Sequence, residues 1–461
     1  MDNNEPSSQT RFIIAAALSL VVLVGWSYFF TPKKPDANTA NANTAANTTT
    51  AQATPAPTAT PTPQPQTAVA TTPDTTPNKL IKITTPLYEV TLDSKGAVAT
   101  SWILLKNKSP KEERPLYADG SKGDVKTPLQ LISPEALSRT PREVPFRLST
   151  DDADVNALVN DRNYEVSGVD GDVTLTDGQE KKIDFTLKDA SGVEVTKTFV
   201  FRADNYLSDL QVKLTKNGQT VPNTKLLIGA SIGDQAIVHH SFYHPESEAI
   251  AYAGDAVYRH PGASFTFDQS NQSSIAVPGN VEWAGVADAY FAMTAIPAKP
   301  MPGLEYKASK FEFAQPPFYD GIISFVTQNK RTSETRHLIT AYVPIEADGS
   351  VTKIYTGTKD YFALKDYNSI LTASVGREID IIPMINFSNY SWIRPITSRI
   401  AIPIVYALNF FNGLTHNYGI AIIIFTFLFY MLLFPLRWSQ SKSFKKASGN
   451  APKMKEIQDK I

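Results

Sequence analysis

His239, His240 and His244, with Glu246 close behind, form the densest group of side chains that could ligate a metal or move a proton. His240 and His244 have the i, i+4 spacing that sets two imidazoles on one helix face. The surrounding stretch, IVHHSFYHPESE, lacks the pattern of a stable helix. A loop of solvent-facing or hydrogen-bonded histidines is the plainer reading. No G-x-S-x-G elbow, H-E-x-x-H pair or phosphate-cradling glycine loop occurs. Carboxylates are scattered, and sequence alone pairs no two of them across a cleft. Cysteine is absent, which excludes disulfides, thiol catalysis and thiolate metal sites. No catalytic residue, metal or cofactor is expected.

The elements around these residues point elsewhere. A chain of 461 residues has room for two or three domains. Its net charge of −1 gives no basic field to neutralise phosphates, so no nucleic-acid specificity is expected. Residues 12–30, FIIAAALSLVVLVGWSYFF, span about 28 Å as a helix, near the thickness of a bilayer's hydrocarbon. Bulky Tyr28, Phe29 and Phe30 stand where a cleaved leader carries small residues, so 1–30 reads as a retained anchor. Arg11 before the run and Lys33 and Lys34 after it do not orient it. Residues 31–78 follow as a tether of mostly Ala, Thr, Asn, Pro and Gln. It has too little apolar surface to offset the entropy of ordering, and from Asp36 its reach is about 35–40 Å.

Residues 79–385 read as β. Leu210, Val212 and Leu214 alternate with Gln211 and Lys213, the period of a strand with one buried face. Between such runs lie Asp119-Gly120, Asp170-Gly171, Asp177-Gly178, Asn217-Gly218, Asp320-Gly321 and Asp348-Gly349, each suited to the positive φ of a tight hairpin. Convincing helical periodicity is scarce. About 300 residues of short strands predict a large β-sandwich, with two sheets extended side by side.

In 386–416, Ile396, Ile400, Ile404, Leu408 and Phe411 mark one face of a helix. Arg394, Ser398 and Arg399 break the other face, and Pro403 distorts the middle. The segment can lie in the membrane interface or cross as a short span. Residues 417–436 are long and apolar enough to cross. Arg437, Lys442, Lys445, Lys446, Lys453, Lys455 and Lys460 follow, against Glu456 and Asp459, a strong positive-inside signal. The tail is then cytoplasmic, and the interfacial reading of 386–416 keeps the β domain outside.

These parts resemble the YidC-type membrane protein insertases of Gram-negative bacteria. The matching pieces, in order, are TTPLYEVTLDSKGAVATSWIL (84–104), VTKTFVFRADNYLSDLQVKL (195–214) and WAGVADAYFAMTAIP (283–297). YTGTKDYFAL (355–364), WIRPI (392–396), NYGIAIII (417–424), FPL (434–436) and APKMKEIQDK (451–460) follow. The resemblance implies a membrane protein of the bacterial inner membrane with a mainly-β periplasmic domain, a large β-sandwich or supersandwich, plus α-helical transmembrane and interfacial segments. It implies a non-enzymatic insertase or chaperone for inner-membrane proteins, working alone or with the Sec translocon. Nascent membrane proteins and lipids are the implied partners, with the Sec translocon and the ribosome beside them. Residues 437–461 would begin a cytoplasmic helical hairpin, with further spans encoded beyond Ile461.

The family places an arginine in a hydrophilic groove of its second span. Here that position aligns with Tyr430, which can hydrogen-bond but carries no charge. Thr426 and Arg437 are the other groove candidates, with Arg437 also able to snorkel to the interface. Trp392, Arg394 and Arg399 are the interfacial candidates. Two other classes compete: a membrane-tethered periplasmic β-sandwich binding a protein or glycan, and a sugar-active enzyme on a mutarotase-like sandwich. The last needs paired acid and base residues in one cleft.

Overall fold

The computed structural model describes residues 74–106, 129–232, 246–319, 322–388 and 393–435, with Trp438 and Lys442. The chain divides into two units, Met1–Thr71 and Thr72–Ile461, and every described residue lies in the second. The expected anchor, most of the tether, His239, His240, His244, Trp392, Arg437, nearly all of the tail and the pairs Asp119-Gly120 and Asp320-Gly321 lie outside the described residues. Among the described residues, hydrogen bonding to the folded domain begins at Asp74, whose carboxylate accepts from the Asn163 backbone N–H at 2.7 Å.

The strands open with β1 (Leu80–Thr84), β2 (Tyr88–Asp93), β3 (Val98–Leu104), β4 (Leu129–Gln130), β5 (Leu148–Ser149), β6 (Glu165–Ser167) and β7 (Val173–Thr174). Then come β8 (Glu180–Lys188), β9 (Val193–Arg202), β10 (Leu207–Lys216), β11 (Gln219–Thr220), β12 (Lys225–Ile228) and β13 (Glu248–Ala253). The last are β14 (Ala256–Pro261), β15 (Gln272–Ala287), β16 (Phe291–Ile296), β17 (Met301–Phe318), β18 (Arg331–Pro344) and β19 (Asp348–Thr358). Helices α1 (Pro134–Ser138) and α2 (Ala153–Asp161) lie between β4 and β6, α3 (Ile322–Val326) joins β17 to β18, and α4 (Tyr361–Val375) follows β19.

A five-stranded sheet has the order β4-β3-β2-β1-β7, and a fourteen-stranded sheet runs β5-β12-β18-β17-β15-β16-β19-β10-β9-β8-β6, with β11, β13 and β14 attached beside that path. The two share one core. Trp102 of the small sheet stacks on Tyr88 at 5.6 Å and lies 6.2 Å from Phe201 of the large one. Phe199 meets Phe146 and Phe185 edge-on at 5.4 and 5.7 Å. This is the mainly-β, sandwich-like class expected, and Leu210, Val212 and Leu214 are buried as their alternation requires.

One residue of the inward row on β9 is a cation. Val193, Val195, Lys197, Phe199 and Phe201 share the period-two face, and Lys197 is fully buried. Its ammonium donates to the carbonyls of Gly96 and Phe146, each at 2.7 Å, and of Ala97 at 3.3 Å. Three acceptors match the three donors of the group.

The long strands differ from expectation. β15, β17 and β18 have 16, 18 and 14 residues. Pro278 and Gly279, ordinarily strand breakers, fall in a bulge between Pro278 and Val281, and Pro316 and Pro317 fall in another between Ala314 and Phe318. The turn pairs also divide. Asn217 and Gly218, at φ 52° and 78°, form a two-residue hairpin between β10 and β11. Gly171 has no positive φ, and Asp348-Gly349 opens β19 rather than joining paired strands.

A 15-residue helix, α4, stands where the sequence shows little helical pattern. Asp360 caps its first turn by accepting from Phe362 and Ala363 N–H at 3.1 and 3.0 Å, and Gly376 at φ +77° ends it. Its buried face, Ala363, Leu364, Tyr367 and Leu371, is narrow and flanked by polar residues, so its periodicity is weak.

Candidate functional site

Two consecutive helices leave the domain. α5 (Arg394–Thr415) begins with Pro395 in its first turn, where the missing N–H costs nothing. His416 ends it in a left-handed conformation, and Asn417 starts α6 (Tyr418–Pro435) by accepting from Gly419 N–H at 2.8 Å. No α5 residue is buried, so neither face is taken into the β core. Ile396, Ile400 and Arg399 are exposed, while Arg394 donates weakly to the Ser388 carbonyl at 3.3 Å. Among the described residues a joint between α5 and α4 ties it to the domain. Tyr406 packs edge-on against Tyr361 and Phe362 at 5.8 and 5.0 Å, and Lys365 lies 2.9 Å from its hydroxyl.

Among the described residues α6 is the one helix long and apolar enough to cross a membrane, with mean hydropathy 2.2 over 18 residues. That length spans about 27 Å. Its side chains are exposed almost throughout. Thr426 and Tyr430 stand one turn apart on the same face. With Ile422, Ile423, Phe427, Met431 and Phe434 they line a shallow hollow of about 590 Å³. Thr426 donates to its own helix at Ile422 O, 2.7 Å away, so its hydroxyl is partly satisfied in an apolar setting. Two of the three groove candidates are therefore together. Arg437 and Trp392 lie outside the described residues, and Arg394 and Arg399 sit on the separate helix α5. Glu246 is exposed and accepts from Ala263 N–H at 3.4 Å.

The segment that leads into α5 is strapped to the sheet by buried charge, an arrangement the sequence did not disclose. Glu248 of β13, Arg259 of β14 and Lys359 after β19 have side chains 12%, 7% and 3% exposed. One guanidinium nitrogen of Arg259 pairs with Glu248, and another donates to the carbonyls of Pro383 and Met384 at 2.6 and 2.7 Å. Lys359 donates to the Asp288 carbonyl and lies 3.5 Å from the Glu248 carboxylate. Burial pushes Arg259 and Lys359 below their ordinary pKa values, and the Glu248 charge opposes that shift in both. Further along the strap, Trp283 Nε1 donates to Asp380 O at 2.7 Å. Arg377 pairs with Glu282 and donates to Pro297 O at 3.0 Å. The partners stand about a hundred residues apart, and no local pattern links them.

A β-sandwich domain strapped to an exposed helix, which runs on into an apolar helix of bilayer length, defines the extramembrane part of a membrane protein. The family described as "YidC periplasmic domain" matches residues 80–400, and "60Kd inner membrane protein" matches residues 410–461. The chain belongs to the YidC family of inner-membrane proteins. It is similar to proteins named membrane protein insertase YidC. That of Chlorobaculum tepidum is 25% identical, over 83% of this chain and 56% of the relative. That of Nitratidesulfovibrio vulgaris is 25% identical over 98% of this chain and 72% of the relative. The chain thus spans little more than half of the first and under three quarters of the second. Among solved structures an alpha-galactosidase from Lactobacillus brevis matches at 11% identity and TM-score 0.29, over 64% of this chain and 41% of that one, a likeness too low to bear on function.

Proposed function

We propose that the chain assists insertion and folding of inner-membrane proteins, as an insertase or membrane chaperone, without bond-making chemistry. The observation that carries this is α6, an exposed apolar helix of bilayer length that presents Thr426 and Tyr430 on one face. In this reading that face borders a groove where polar parts of a nascent membrane protein are eased past hydrocarbon, which otherwise costs several kcal/mol per unsatisfied group. Tyr430 replaces the family's arginine as a hydrogen-bonding group without charge. Arg437 snorkels to the cytoplasmic interface.

The topology proposed has residues 1–30 as anchor, 31–78 as tether, 79–385 as the periplasmic domain and 386–416 as an interfacial helix. Residues 417–436 cross, and 437–461 begin a cytoplasmic hairpin. Support for an interfacial α5 comes from Arg394, Arg399 and Pro403 on a helix with no buried residue, with Trp392 as its expected aromatic anchor. Lipids, the Sec translocon and the ribosome are the further partners proposed.

The test is insertion of a labelled single-span protein into vesicles carrying the full-length protein. Thr426→Val combined with Tyr430→Phe should lower the protease-protected fraction several-fold. Deletion of residues 79–385 should leave insertion measurable. Complete loss on that deletion, with the double variant fully active, would favour a tethered binding module instead.

A further inference from the structure

The fourteen-stranded sheet has a second face, turned away from the main core. Strand register fixes which side chains share it, because directly opposed residues point the same way. Leu227 lies opposite Tyr342, Tyr342 opposite Glu305, Thr340 opposite Lys307, and Ser309 opposite both Leu338 and Gln272. The intervening pairs, Tyr306 with Ala341 and Ala308 with Ile339, point into the core. Segment 139–149 and α2 border this outer face, leaving a cleft of about 460 Å³.

Charge in the cleft is one-sided. Arg139, Arg142, Arg147 and Lys307 line it against the single carboxylate of Glu143. Three of the cations already meet carboxylates: Arg139 with Glu135 at 2.9 Å, Arg142 with Asp93 at 2.8 Å and, more loosely, Lys307 with Glu305 at 3.9 Å. Lys307 sits 4.6 Å over the Tyr342 ring. Arg147 differs. Its side chain is 11% exposed, its one carboxylate among the described residues is the exposed Asp161 at 3.9 Å, and no hydrogen bond holds its guanidinium there. A nearly buried guanidinium without a bidentate acceptor is costly. A second polar group in the same cleft lacks an acceptor or donor: the Ser309 hydroxyl is buried, 2% exposed at the residue, and has no partner among the described residues. Burial also pushes the Glu143 carboxyl up, toward its neutral, proton-donating form.

We propose that this cleft binds a small ligand bearing an oxyanion, a carboxylate or a phosphate, with Arg147 as the charged fork and Ser309 as a hydroxyl partner. Planar guanidinium matches both anions bidentately. A neutral sugar would leave Arg147 uncompensated. The site belongs to the β domain and does not depend on how α6 acts in the membrane.

Calorimetric titration of the full-length protein in nanodiscs, at constant ionic strength, tests this with inorganic phosphate, acetate and glucose. Saturable binding of either anion, without glucose binding, is expected, and the tighter anion identifies the source chemistry. Arg147→Gln should weaken it about tenfold or more, and Ser309→Ala a few-fold. If Arg147→Gln does not fold, Arg147→Lys, which keeps the charge and loses the fork, should still weaken binding. No saturable anion binding, glucose binding alone, or affinity unchanged in Arg147→Lys and Ser309→Ala would overturn the proposal.

Discussion

Arg259 donates to the carbonyl of Met384 at 2.7 Å across 125 residues of chain. The contact joins the second strand of a hairpin to the segment that enters α5, so the orientation of the domain's exit is set by a buried cation. Glu248 pairs with it and also lies 3.5 Å from the Lys359 ammonium.

Arg259→Gln would leave Glu248 with Lys359 alone and free two carbonyls of the strap. Breaking a buried ion pair from one side costs about 3–5 kcal/mol. We expect a lower denaturant midpoint, and faster hydrogen exchange at Met384 and Ile385, whose amides bond within the short helical turn Ile382–Met384. Unchanged exchange there would show that the strap is held without Arg259.

Lys197 gives a pH signature. Burial holds its amine well below the ordinary value of 10.5, with Arg147 adding to the shift. The unfolded chain then binds this proton more tightly than the folded one, so stability rises with pH through the window below 10.5. Lys197→Met should flatten that rise between neutral pH and about pH 9. The check is the urea midpoint of both proteins across that range. Parallel profiles would sink the assignment.

Gly285 is a test of close strand packing. A Cβ there would lie 2.0 Å from Met293 O and 2.6 Å from Thr294 Cα, both backbone atoms of β16. Gly285→Ala must push β15 and β16 apart, at a cost of about 1–3 kcal/mol. Thermal melting should show the loss, and an unchanged midpoint would mean that the strands part freely.

Much of the fold is legible in the sequence where one physical rule dominates. Leu210, Val212 and Leu214 announce a half-buried strand, and the apolar run after Asn417 announces a membrane-length helix. Long strands such as β17 are hidden because bulges carry Pro316 and Pro317 without ending the ladder. The cap residues Asp360 and Gly376 mark α4, but its narrow buried face blurs the helical period. On the site, Thr426 and Tyr430 share a face because spacing dictates it. The strap of Glu248, Arg259 and Lys359 and the cleft at Arg147 were illegible, since distant strands bring their members together and only register tells which do.

The most direct measurement is site-specific photo-crosslinking from α6 in membranes holding the full-length protein. Tyr430 lies on the proposed groove face, and Leu428, about 200° around the helix, faces away. A photoreactive residue at 430 should capture a nascent membrane protein during insertion, whereas one at 428 should capture lipid or nothing. Equal capture of the nascent chain from both positions, or from neither, would contradict the proposed role of this face.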